Sequence, residues 1–323
     1  MTPPGKKPAG PGDFRAQNTR PAAFAGASYP AQADKLQRSL TGYFTAPGSP
    51  GAPERLNGSV PLSGLIAPHI DFPRGHVGYA WAYREIIRSG LADLYVILGV
   101  AHQTPPSPFV LTKKNYDTPF GPAETDKDLA HALAEKASFD LFADEFVHRT
   151  EHSIEFQAVY LKYVQKIIGG RFKILPLLCS SYDLQGADPG KRTETFLSEL
   201  ENILRDYPGK VCLLAGVDFA HIGPCFGDDR PAEGEFLEQT QREDRASLKQ
   251  LLRQDPKGFL NSVMFDGNRR KVCGVSALYA FSKLHKGLFG RTSAELLHYG
   301  HAADPTGGEV TFASLSYRPG AGL

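Results

Sequence analysis

Residues 94–102 read Leu94-Tyr95-Val96-Ile97-Leu98-Gly99-Val100-Ala101-His102. Eight apolar or small residues in a row, rich in β-branched and aromatic types, read as a strand over 94–100 covered on both faces. The run ends on a histidine. Two other stretches share that grammar. Leu65-Ile66-Ala67-Pro68-His69 closes a strand read over 62–67. Leu214-Ala215-Gly216-Val217-Asp218-Phe219-Ala220-His221 closes one read over 211–217. A fourth apolar run, 172–178, lacks the histidine.

Between these runs the period changes to that of helices. Apolar spacing predicts helices over 33–44, 77–89, 126–137, 153–168, 191–205, 236–253 and 273–284, with late strands at 296–299 and 309–317. Buried strands alternating with helices imply a mostly parallel sheet with helices on both faces, a three-layer α/β/α sandwich. Residues 1–19 are rich in Pro, Gly and Lys and read as a disordered or loosely packed arm. Residues 20–323 show no linker-like break and no repeat, so one α/β domain is expected there.

Bulk properties narrow the function. Of 323 residues, 36 are Lys or Arg and 35 are Asp or Glu, a net charge of +1. That balance offers no field for nucleic acid or an anionic membrane. The densest basic run, Arg269-Arg270-Lys271, reads as a solvated turn. The four cysteines, Cys179, Cys212, Cys225 and Cys273, form no C-x-x-C pair. Cys179 and Cys212 fall in apolar runs as small buried residues. No signal-peptide core or membrane-length apolar run is present, and a reducing cytoplasm is the expected location.

The strand-end histidines carry the chemistry. In open α/β sheets ligands bind beyond the carboxyl ends of the strands. Imidazoles held there suit Fe, Cu or Zn and leave coordination positions open. Any one of His69, His102 and His221 alone reads equally as a hydrogen-bonded loop residue; together they read as a metal set. Asp218 either orients or ligates from the same strand end, or caps nearby backbone amides. Glu151-His152-Ser153-Ile154-Glu155 opens a helix, with Thr150 as its expected N-cap and Glu151 suited to the helix dipole. A histidine there is held neutral, so His152 is a candidate catalytic base, or a satisfied structural residue. Cys273, before Gly274, reads as a thiolate, a ligand for a soft metal, or a small buried residue. His131 and His285 fall in helical patterns and are expected at the surface. His301, in a Gly-flanked loop, is placed near the same cleft.

Taken in order, these segments resemble the Memo family, also called AmmeMemoRadiSam system protein B. The matching stretches are Arg20-Pro21-Ala22-Ala23-Phe24-Ala25-Gly26-Ala27-Ser28-Tyr29-Pro30, the three strand-end histidine segments, Thr118-Pro119-Phe120-Gly121, Glu151-His152-Ser153-Ile154-Glu155, Cys273-Gly274 and Tyr299-Gly300-His301. The resemblance implies a fold similar to the LigB-type class III extradiol dioxygenases and a mononuclear non-haem site for Fe(II) or Cu. Its metal residues would be His69, His102, His221 and Cys273, with Asp218 and His152 in catalytic roles. It implies a redox enzyme or metal handler acting with a radical-SAM partner and an AMMECR1-like protein on an unknown small-molecule or peptide substrate. A Zn-dependent hydrolase, or a scaffold with a vestigial site, would use the same residues. After His69 the chain departs from the common family run: Ile70-Asp71-Phe72-Pro73-Arg74-Gly75 places Asp71 and Arg74 either along the pocket or in a surface ion pair.

Overall fold

The computed structural model describes residues 11–56, 60–181 and 190–319. In chain order the elements are α1 Pro11–Ala16, β1 Thr19–Arg20, α2 Ala33–Tyr43, β2 Gly64–Ala67, α3 Phe72–Ser89, β3 Leu94–Val100, β4 Phe109–Leu111, β5 Asn115–Tyr116 and α4 Lys127–Lys136. There follow α5 Ser153–Ile168, β6 Lys173–Cys179, α6 Lys191–Arg205, β7 Val211–Gly216, β8 His221–Ile222, α7 Gly234–Leu252, α8 Pro256–Met264, α9 Val275–Phe289, β9 Ser293–Asp304 and β10 Gly308–Arg318. Short 3-10 turns span Glu145–Thr150 and Pro224–Phe226.

Eight strands form the main sheet. Its centre, β6-β3-β7-β2, is parallel; β4 flanks one side antiparallel, and β10 with β8 and β9 extends the other. A two-stranded sheet, β1 with β5, stands apart. Side chains alternate across β3 as the pleat demands. Leu94, Val96, Leu98 and Val100 face a core built with α6, α7, α8 and α9, while Tyr95 and Ile97 face α2, α3 and α5. The result is the expected three-layer α/β/α sandwich in a single domain. No helix among the described residues is long and apolar enough to cross a membrane.

Several local expectations are corrected. The arm read over 1–19 is packed from Phe14 onward: Phe14 is fully buried against Phe146, and Thr19 and Arg20 pair with β5; residues 1–10 lie outside the described residues. Helix α3 starts at Phe72, five residues early, because the Asp71 carboxylate accepts Arg74 N–H as an N-cap and Pro73 fits the first turn. Arg270 is not solvated; it is buried against Asp244, Glu243 and Ser247. His285 is fully buried too, its Nε2 3.0 Å from Ser63 Oγ. Helix α8 has no counterpart in the sequence reading.

Candidate metal centre

β2, β3 and β7 run parallel and end side by side, so the three histidine segments open on one edge of the sheet. His69 and Asp218 are buried there, and His102 and His221 are partly exposed. His152 arrives from the N-terminus of α5. Two strand glycines permit that approach. A Cβ on Gly99 would meet Ser153 Oγ at 2.7 Å and Ile154 at 2.6 Å, and one on Gly216 would meet the Ser153 carbonyl oxygen at 2.4 Å. Only glycine lets this helix end lie on the strand ends.

The rings of His69, His102 and His152 form a near-equilateral group, with centroids 5.1, 4.9 and 5.0 Å apart. Each offers a nitrogen, and these atoms lie within 4.8 Å of one another. His221 lines the same cavity, near enough for its charge to act on His69 and His152. Thus His152, expected only in proton handling, stands among the donors, and His221, expected among the ligands, lies outside that tight group.

Tautomers follow from the acceptors behind the rings. A carbonyl oxygen only accepts, so His69 Nδ1–H donates to the Gly216 carbonyl at 3.0 Å. His221 Nδ1–H donates to the Phe219 and Lys271 carbonyls at 3.1 and 3.2 Å. His102 Nδ1–H donates to both oxygens of Glu151, at 3.0 and 3.1 Å. In all three Nδ1 carries the proton and Nε2 is the acceptor nitrogen; that of His69 is met by the Cys273 thiol at 3.3 Å, and the tautomer is the one that outer partners impose on metal-binding histidines.

Glu151, read from sequence only as a dipole partner, is central. Besides His102 it accepts His152 N–H at 2.8 Å and Ser153 N–H at 3.0 Å. It therefore takes up the N–H groups at the start of α5, whose N-cap position is held by His152 rather than by the expected Thr150, which ends the preceding 3-10 turn. Burial opposes its charge, yet the hydrogen bond and charge of His102 hold its carboxyl down to about 2. Conversely, burial would lower the His102 imidazole, but the Glu151 carboxylate outweighs burial and raises it. The other rings are held neutral: burial drives His69 well below its ordinary value and takes His152 and His221 to about 4.

Asp218 accepts His69 N–H through Oδ1 at 3.0 Å, and its Oδ2 lies 3.6 Å from His69 Nε2. Burial lifts its carboxyl to about 7. Cys273 Sγ is 3.3 Å from His69 Nε2, so this thiol joins the pocket. It is no helix-terminal thiolate: α9 begins at Val275, and burial pushes the thiol well up. His301 is not in a loop; it lies on β9, bonded to Glu309, and does not line the cavity.

The cavity holds about 300 Å³. Phe24, Phe156 and Phe226 form its apolar walls, and Ser28, Asp71, Arg74 and Asp304 its polar rim. Sequence periodicity assigns no such walls, because Phe24 and Phe226 lie outside the α-helices and the sheet. A larger cavity of about 440 Å³ lies at the opposite ends of the strands, lined by Leu62, Leu204, Val211 and Phe289, and holds none of these donors. Neutral imidazoles beside a carboxyl and a thiol fit a borderline or soft first-row ion better than Mg²⁺ or Ca²⁺, which favour oxygen cages.

Comparison with known proteins gives the family. The family described as Memo-like protein matches residues 20–317. A MEMO1 family protein of Methanopyrus kandleri is 29% identical over 307 residues, covering 93% of this chain and 99% of its own. A MEMO1 family protein of Pyrococcus furiosus is 29% identical over 285 residues, covering 87% and 91%.

Proposed function

The chain belongs to the Memo-like family, and we propose that it binds one redox-active metal ion, Fe or Cu, in the strand-end pocket. His69 and His102 are the fixed donors, and His152 or His221 completes the set. One observation carries this reading: the Nδ1 atoms of His69, His102 and His221 are each tied to an acceptor, so each ring turns an acceptor Nε2 toward a single pocket. Imidazoles meant only for packing have no need of a shared tautomer.

Bound Fe or Cu would supply electron transfer and substrate activation at its open coordination positions. The protein's own groups set the rest. Glu151 fixes the His102 ring. Asp218 pins the loop after β2 through His69 N–H, and with its carboxyl near 7 it holds or releases a proton at Oδ2 close to neutral pH. Phe24, Phe156 and Phe226 keep water from the inner walls.

The test is metal content after anaerobic purification without an affinity tag, for the wild type and for His69→Ala, His102→Ala, His152→Ala and His221→Ala. Near-stoichiometric Fe or Cu, lost in the first two variants, is expected; whichever of the last two also loses it names the third donor. Stoichiometric Zn would move the reading to a hydrolase that activates water. No metal after reconstitution with Fe(II), Cu(I) and Zn(II) would overturn it.

A further inference from the structure

At the mouth of the pocket one guanidinium is locked between two carboxylates. Arg74 Nε donates to Asp71 Oδ2 at 2.5 Å, and Nη1 donates to Asp304 Oδ2 at 3.0 Å and to the Ala303 carbonyl at 3.4 Å. The clamp joins the start of α3 to the β9–β10 turn. Each carboxylate oxygen already accepts a bond: Asp71 Oδ1 takes Arg74 N–H, and Asp304 Oδ1 takes the N–H and hydroxyl of Thr306. The aspartates thus commit their acceptors to the clamp and to the Thr306 turn. Among the described residues Arg74 Nη2 has no partner, and neither has the hydroxyl of Ser28 on the facing segment. Arg74 and Ser28 both line the cavity. The rim therefore offers hydrogen-bond donors, on a side chain whose rotamers are already fixed.

We propose that Arg74 is the specificity-determining residue of this pocket and that its ligand is a small organic acid. The carboxylate meets Arg74 Nη2 and Ser28 Oγ, and the apolar body lies between Phe24, Phe156 and Phe226. A planar fork held in place suits a planar oxyanion, because charge-assisted bonds gain most where no side-chain freedom remains to be lost. A cavity of about 300 Å³ sets the scale: a single ring or a short chain with one acid group. This rests on the pocket being the ligand site of the proposed function, but it does not require the metal.

The competing chemistry is explicit. Two aspartates against one arginine leave the rim formally negative, which would suit an amine. Benzoate and benzylamine share a ring and differ in that charge, so they are the probes. Their binding is measured by titration calorimetry on the metal-free protein and on protein loaded with Zn(II), which is redox-silent. Benzoate should bind and benzylamine should not. Arg74→Met should weaken benzoate by about ten- to a hundredfold, the usual scale for losing charge-assisted bonds. Arg74→Lys should recover part of that loss. Asp304→Asn, which removes a negative charge from the rim, should tighten benzoate. Circular dichroism and melting of each variant separate lost binding from lost folding. Equal benzoate affinity in Arg74→Met, tighter benzylamine, or no benzoate binding in either form at millimolar concentration would overturn the proposal. Benzoate binding through Arg74 in a protein that takes no metal would sink the metal reading and leave this one standing. Metal binding with no Arg74 effect would do the reverse.

Discussion

Replacing Glu151 by glutamine exchanges one oxygen for an NH₂ group where every neighbour is a donor. In the native protein one oxygen faces His152 N–H and Ser153 N–H at 2.8 and 3.0 Å. The other faces His102 N–H at 3.2 Å, and His102 Nδ1 is shared between the two. An amide has two orientations, and both fail. With NH₂ toward His102, the ring must turn Nδ1 into an acceptor and move its proton to Nε2, which removes the lone pair from the pocket. With NH₂ toward α5, two buried N–H groups at the helix start lose their acceptor. A buried unmatched donor costs about 1–3 kcal/mol. Loss of an outer partner of a metal-binding histidine typically costs about 10–100-fold in metal affinity. Glu151→Gln should therefore lower stability or metal affinity by about 1–3 kcal/mol, divided according to the orientation the amide takes. Chelator-competition titrations of the metal and urea unfolding of the metal-free protein read the two shares. If affinity stays within twofold and the unfolding midpoint does not move, while His102→Ala loses the metal, Glu151 does not set the ring and the tautomer argument fails.

Three further outcomes follow from buried groups. Burial takes His148 and His285 to about 3, far below the unfolded value near 6.5, so the unfolded chain binds protons first and stability falls as pH drops from about 6.5 toward 3. At pH 5.5 the loss should be about 1.4 kcal/mol for each, and His285→Phe should remove one proton from the pH slope measured by urea unfolding. Glu155, buried with Arg20 and also accepting Tyr29 O–H and the Ala23 and Phe24 amides, holds the 20–29 segment against the pocket. Glu155→Gln breaks a buried ion pair and should cost roughly 3–5 kcal/mol; a shift in the urea midpoint worth under 1 kcal/mol would contradict that. Iodoacetamide at pH 8 should alkylate exposed Cys225 well before Cys179, Cys212 or Cys273, as peptide mapping over time would show.

The layered fold was legible because its central strands are covered on both faces. Continuous apolar runs of this length at β3, β6 and β7 read as strands buried on both faces, and helices between them favour a parallel order. Helices α5 and α6 match their expected limits of 153–168 and 191–205. Elements set by tertiary contact were not legible. The buried Arg270 and His285 look like surface residues because local periodicity carries no record of a partner such as Asp244 or Ser63. Helix α8, nine residues opened by Asp255 and Pro256, is too short for its period to stand out.

The site divides along the same line. That His69, His102, His221 and Asp218 share one pocket was legible because each follows a strand, and parallel strands bring their carboxyl ends together whatever their separation in the chain. His152 belongs to no strand, so that grammar could give it a role in proton transfer but no place among the donors. The missing signal lay in the strands themselves. Gly99 and Gly216 sit near the ends of neighbouring strands, neither has a positive φ, and each faces the first turn of α5. A glycine in a buried strand that is not needed for a turn marks a close backbone approach. Two of them near one sheet edge call for a helix end at that place, and the helix whose first residues include a histidine is the one that fills it. Gly99→Ala or Gly216→Ala should then push α5 outward and carry His152 away from His69 and His102, weakening metal binding while His69, His102 and His221 stay unchanged. A crystal structure of either variant with the His152 ring still within about 5 Å of His69 would show that something other than the two glycines sets the position of this helix.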